Sequence, residues 1–158
     1  MSQVAHRGVG RYKRRASLLI PRRTSSVYWI SRKVIWTAVI SQLKDDALHG
    51  LAIVAGGRSA GARVACRTAA DVGAAAVLCL AFPVHPPGRG DDPAKSRLSE
   101  LDAVTVPTLV VQGESDPFGM PPDGPNRTVV RVPGNHSLRS GAAVAAAVSD
   151  WLEKLEAA

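Results

Sequence analysis

Leu51-Ala52-Ile53-Val54-Ala55-Gly56-Gly57-Arg58-Ser59-Ala60-Gly61-Ala62-Arg63-Val64-Ala65 is the stretch on which the reading of this chain turns. Its first five residues form an unbroken apolar run between Gly50 and Gly56-Gly57, the pattern of a short strand buried on both faces of a parallel sheet. From residue 60 to 72 small residues dominate, with Arg63 and Arg67 four apart on one helix face. Between strand and helix stands Gly57-Arg58-Ser59-Ala60-Gly61, a G-x-S-x-G string. In a chain with 14 glycines such a string says little alone. It gains weight from the strand before it and the helix after it. A serine at that junction must sit on a sharp, strained turn with its hydroxyl raised above the sheet. Side chains in place of Gly57 and Gly61 are expected to collide with the neighbouring strand and helix. The helix also aims its first N–H groups at the reacting centre.

Working outward, Ile35, Trp36, Val39, Ile40 and Leu43 recur at helical spacing and end in Lys44-Asp45-Asp46. Downstream, residues 75–82 read as a second buried strand closed by Pro83. Residues 85–94 form a loop dense in Pro, Gly and Asp, and a short helix follows over 96–101. Residues 107–112 and 128–132 are a third and a fourth strand. Val144, Val148, Trp151, Leu152 and Leu155 mark one face of a C-terminal helix. Strands alternating with helices imply an α/β body with a mostly parallel sheet. There is no internal repeat.

A serine hydroxyl is a poor nucleophile without a base, and the base needs an acid to orient it. The third strand runs into Gln112-Gly113-Glu114-Ser115-Asp116-Pro117 and the fourth into Pro133-Gly134-Asn135-His136-Ser137. Ser59, Asp116 and His136 therefore each follow a strand, in the order Ser, Asp, His. An Asp before Pro is commonly a turn former or cap, and a His near a helix start commonly a cap. Three such residues, each at the end of a strand, favour a catalytic set. Glu114 is the second choice for the acid, and Asp123 lies too deep in its proline-rich loop. The backbone N–H of Ala60 is the oxyanion donor expected from the turn. Arg58, inside the motif, and His85, in a loop expected to overhang the pocket, are substrate-pocket candidates. His6 and His49 have no supporting neighbours. No cluster has metal-ligand spacing, and no phosphate-binding glycine motif follows a strand. The reading therefore includes no metal and no cofactor.

Gly56 to Ala65, Leu78-Cys79-Leu80-Ala81-Phe82-Pro83 with His85-Pro86-Pro87-Gly88, Pro107 to Gly113, Asp116-Pro117-Phe118-Gly119 and Gly134-Asn135-His136-Ser137-Leu138 together resemble a small bacterial branch of the α/β-hydrolase superfamily. That branch is similar to dienelactone hydrolases and to testis-expressed protein 30. The resemblance covers residues 34–158 and implies an α/β-hydrolase-like three-layer sandwich and a serine esterase-like hydrolase. It implies a small-molecule ester or acyl substrate and names none. Residues 1–33 do not share it. Superfamily members normally open with further strands and a loop carrying a second oxyanion donor. The fold is accordingly expected to be incomplete, with N-terminal strands missing or replaced and turnover weakened. An oxyanion donor is typically worth ~3–4 kcal/mol.

Charge divides the chain at about the same place. Residues 1–44 hold ten of the twenty Lys/Arg and none of the thirteen Asp/Glu, so a basic head precedes a mildly acidic body. The head, residues 1–33, is expected to be a poorly ordered extension to the domain at 34–158. A basic arm can bind nucleic acid by counterion release. Without basic-region heptads, zinc spacing or an aromatic RNA-binding string, that alternative ranks third. The second is a catalytically silent fragment acting as an interaction module. No apolar run reaches the ~20 residues of a membrane span. Two cysteines, Cys66 and Cys79, are too few for a disulfide framework and suit reduced core thiols in a cytoplasmic protein.

Overall fold

A computed structural model of the chain describes residues 25–90 and 92–157. Among the described residues the first element is a helix, α1 (Ser25–Asp45), followed by β1 (Val54–Arg58), α2 (Ala60–Thr68) and β2 (Ala76–Leu80). A 3₁₀ turn (Pro93–Lys95) then leads into α3 (Leu98–Asp102). The chain continues with β3 (Thr108–Gly113), β4 (Arg127–Val132) and α4 (Gly141–Glu156). The four strands form one sheet in the order β1-β2-β3-β4, with every neighbouring pair parallel. This is the expected α/β architecture.

Side-chain alternation along the strands divides the interior into two layers. Ala55, Val77, Cys79 and Val110 join Ala62, Ala65 and Cys66 of α2, Leu101 of α3 and Ile40 of α1 in one cluster. Leu109, Val111 and Val132, with Leu78, Leu80 and Val130, face Val144, Val148 and Trp151 of α4 in the other. β3 is buried along its whole length, and Leu109, Val110 and Val111 are each 0% exposed. Burying one such side chain is worth about 1.5–3 kcal/mol, so β3 anchors both layers.

Two features depart from expectation. β1 lies at Val54–Arg58 and not at 51–55, because its ends follow hydrogen-bond register with β2. Val54 pairs with Ala76 and Gly57 with Cys79, while Leu51 is exposed in the preceding turn. α1 begins at Ser25, inside the stretch assigned to the basic extension. No proline or glycine interrupts residues 25–45, and basic residues are good helix formers. The rest of that extension, residues 1–24, lies outside the described residues. Of the face expected on α1, Ile40 is buried and Trp36 packs against the core, whereas Ile35, Val39 and Leu43 are exposed. Among the described residues, β1 pairs on one side only.

α2 is tied into the fold through its basic face. Arg63 grips Glu100 of α3 with two hydrogen bonds, Nε to Oε2 at 2.8 Å and Nη2 to Oε1 at 2.5 Å. Arg67 lies 3.9 Å from the same carboxylate. The helix whose first residue follows Ser59 is thereby fixed against α3.

Candidate active site

β1 ends at Arg58, α2 starts at Ala60, and Ser59 makes the whole turn between them. Its backbone has φ 53° and ψ −117°, a region L-residues occupy at a cost of about 1–3 kcal/mol. The Ser59 N–H donates to the Leu80 carbonyl at 2.9 Å, which fixes the turn to the end of β2. Gly57 is required here: a Cβ would run into the backbone of Gly61 and Ala62. The same reason does not apply to Gly61, where a Cβ would meet nothing within 4 Å. The crowding expected at both glycines falls on one of them, because β1 passes directly under the first turn of α2.

A second close approach brings the other two residues together. A Cβ on Gly113, at the end of β3, would lie 2.5 Å from the Asn135 carbonyl oxygen. The absence of one lets the loop after β4 fold over the end of β3. Ser115 N–H then donates to the Gly134 carbonyl at 2.9 Å, and Asp116 N–H to the Gly113 carbonyl at 3.0 Å. These contacts set Asp116 opposite His136.

The three side chains form a continuous chain of hydrogen bonds. His136 Nδ1 lies 2.8 Å from Asp116 Oδ2, and His136 Nε2 lies 2.9 Å from Ser59 Oγ. An ionised carboxylate only accepts, so Nδ1 carries the hydrogen and Nε2 is left to accept from the serine hydroxyl. The Asp116 side chain is 0% exposed and that of His136 20% exposed. The Phe118 ring meets the imidazole edge-on, with centroids 4.5 Å apart, and the Arg58 guanidinium donates to the His136 carbonyl at 3.1 Å.

Glu114 is exposed, and Asp116 is the carboxylate on the imidazole. Asp123 accepts from the Val129 N–H at 2.7 Å, where it shapes the approach to β4. His85 is half-buried. Its N–H donates to the Phe118 carbonyl at 3.0 Å and its ring lies against Gly119, so it borders the loop that carries Asp116. Arg58 reaches back across the turn to the His136 loop. His49 is exposed, and His6 lies outside the described residues. Ala60 is the first residue of α2, where its N–H has no partner within the helix.

Two residues that touch this set were not singled out from sequence. Phe118 packs on the imidazole, and the Gln112 carboxamide donates to Asp116 Oδ2 at 2.9 Å. For Gln112 a signal existed: an amide near the end of an otherwise apolar buried strand must find partners.

A family profile described as "Alpha/beta hydrolase domain" matches residues 29–140, a span that includes Ser59, Asp116 and His136. Among solved structures, the chain is similar to an alpha-beta serine hydrolase homologue from Coxiella burnetii, at 17% identity and a TM-score of 0.52. That likeness covers 85% of this chain and 62% of the Coxiella chain, so this chain spans about three fifths of that protein's length. It is also similar to a thioesterase domain from the curacin biosynthetic pathway, at 15% identity and a TM-score of 0.47, over 73% of this chain and 70% of that one. No curated protein sequence matches it.

Proposed function

We propose that this chain, which belongs to the alpha/beta hydrolase domain family, is a serine hydrolase that cleaves an ester or related acyl bond. The observation that carries the reading is the unbroken path from Asp116 through His136 to Ser59, at 2.8 and 2.9 Å. In this mechanism Ser59 Oγ attacks the substrate carbonyl carbon as its proton passes to His136 Nε2. The Ala60 N–H donates to the oxyanion that develops on the carbonyl oxygen. Collapse of the tetrahedral intermediate breaks the acyl bond. The leaving alcohol takes the proton from His136 and departs. Water then adds to the acyl-enzyme by the same proton path, which releases a carboxylate and restores Ser59. Asp116 holds the imidazole in the tautomer that can accept from serine and stabilises it once protonated.

Arg58 and His85 are read as residues at the margin of the substrate site. Two free, buried thiols suit a reducing, cytoplasmic compartment. Among the described residues no helix is long and apolar enough to cross a membrane. The substrate is read as a small molecule.

A fluorophosphonate probe tests the mechanism. It should label the protein at Ser59, and Ser59→Ala or His136→Ala should abolish labelling. Asp116→Asn should slow it by orders of magnitude with the fold intact, because the amide donates to Nδ1 and forces the wrong tautomer. p-Nitrophenyl acetate hydrolysis should follow the same pattern. A folded wild type that does not label, or equal hydrolysis by Ser59→Ala, would move the function to a catalytically silent interaction module.

A further inference from the structure

We infer that Gln112 is a positioning residue for this acyl-transfer chemistry: its carboxamide clamps the Asp116 carboxylate so that Oδ2 faces His136 Nδ1. The inference rests on the serine-hydrolase reading above. Gln112 lies one residue from the end of β3, after the fully buried Leu109, Val110 and Val111, and is itself 0% exposed. Its Nε2 is surrounded by three oxygens, those of Gly119 at 2.8 Å, Asp116 Oδ2 at 2.9 Å and Phe82 at 3.0 Å. Two carbonyls and an ionised carboxylate can only accept, which fixes the amide orientation with nitrogen toward them. Its Oε1 is buried and accepts no hydrogen bond from the described residues. For space-filling alone, methionine would occupy the same volume without a buried unpaired oxygen. What the amide adds is the nitrogen, whose two hydrogens are shared among the loop after β2 and both ends of the Asp116 turn.

The carboxylate is consequently held from three directions. Oδ2 accepts from Gln112 and, through Nδ1–H, from His136, and Oδ1 accepts from the Phe118 N–H at 2.9 Å. Such a carboxylate has no freedom to rotate, so the plane of the imidazole and the aim of Nε2 at Ser59 follow from it. The titratable and charged groups bonded in this cluster are Asp116 and His136, with the Arg58 guanidinium on the His136 carbonyl. Phe82, Phe118 and Gly119 contribute backbone groups to it.

The test measures fluorophosphonate labelling and p-nitrophenyl acetate kinetics for Gln112→Met in the wild-type and Asp116→Ala backgrounds. In the wild-type background kcat and the labelling rate should fall roughly 10–100-fold with KM unchanged, the loss expected from slight misalignment. In the Asp116→Ala background the same substitution should change nothing, because its effect passes through the carboxylate. An equal loss in both backgrounds, or labelling at the wild-type rate, overturns the inference. If Gln112→Met does not fold, the isosteric Gln112→Glu decides. Its carboxyl can donate to Asp116 only while protonated, so its rate relative to the wild type should fall as pH rises. A profile parallel to the wild type overturns the inference. A wild type that labels at Ser59 beside such inert Gln112 variants leaves the serine-hydrolase reading standing. A wild type that fails to label overturns both.

Discussion

Ser59 holds a positive φ of 53°, a conformation that glycine adopts freely and serine does not. The surroundings impose it: the N–H is tied to Leu80, α2 must start at the next residue, and β1 passes under the first turn of α2. Relieving the strain and losing the hydroxyl should therefore separate stability from activity. Ser59→Gly recovers about 1–3 kcal/mol of backbone strain. It gives back ~0.4–1 kcal/mol through the more flexible unfolded chain. It also loses the hydrogen bond to His136, about 0.5–1.5 kcal/mol. The net expectation is a variant of nearly unchanged stability in urea unfolding that is unable to react with a fluorophosphonate. A Ser59→Gly variant destabilised by the full ~1–2.5 kcal/mol of those two losses would mean that the turn is not strained.

Between elements, the contact with a distinctive pH signature is that of Cys66 on α2 with Cys79 on β2, whose sulfurs lie 3.4 Å apart. The hydrogen bond with Cys66, together with burial, holds the Cys79 thiol well above its ordinary value. The unfolded chain gives up this proton at lower pH than the folded one, so stability is complete below the ordinary thiol value and is lost as pH rises beyond it. The slope from this one group is at most about 1.4 kcal/mol per pH unit. Stability curves in urea should thus decline more steeply in alkali for the wild type than for Cys79→Ala. Parallel curves would show that the thiol is not held protonated by its neighbour. Of the two elements concerned, α2 starts at the Ser59 turn and β2 accepts the Ser59 N–H at Leu80, so alkaline loosening should also slow labelling.

Across the whole molecule, the apolar surface is unevenly distributed. The exposed large hydrophobics among the described residues include Val34, Ile35, Val39, Leu43, Leu51 and Val54, all on α1, β1 or the turn between them, against Leu152 on α4. Ile35 and Val39 line one cavity with Gly56 of β1 and with Gly61 and Val64 of α2, and β1 has a neighbouring strand on one side only among the described residues. A sheet edge beside an apolar patch is a place where chains associate. Ile35 is 64% and Val39 47% exposed, so lysine at both positions costs little packing. The double variant Ile35→Lys, Val39→Lys should stay in solution at higher concentration, judged by light scattering, with a midpoint of unfolding close to that of the wild type. A large drop in that midpoint would place these side chains in the core.

The α/β class, the order of strands and helices, and the placement of Ser59, Asp116 and His136 after the first, third and fourth strands could all be read along the chain. Those features depend on local pattern: apolar runs between glycines and prolines, helical spacing of small residues, and a serine where strand meets helix. Element ends were less legible. β1 sits three residues later than its apolar run because pairing with β2 sets strand ends, and glycine is acceptable in a strand that passes beneath a helix. The distances of 2.8 and 2.9 Å along the Asp116–His136–Ser59 path belong to the folded chain, which sets Asp116, the first choice from sequence, on the imidazole. Gln112 shows why. Its partners are at positions 82, 116 and 119, brought to one nitrogen by the packing of two loops over the end of β3. Local pattern reflects what each segment must bury, whereas a side chain's partners depend on which distant segments the sheet sets side by side.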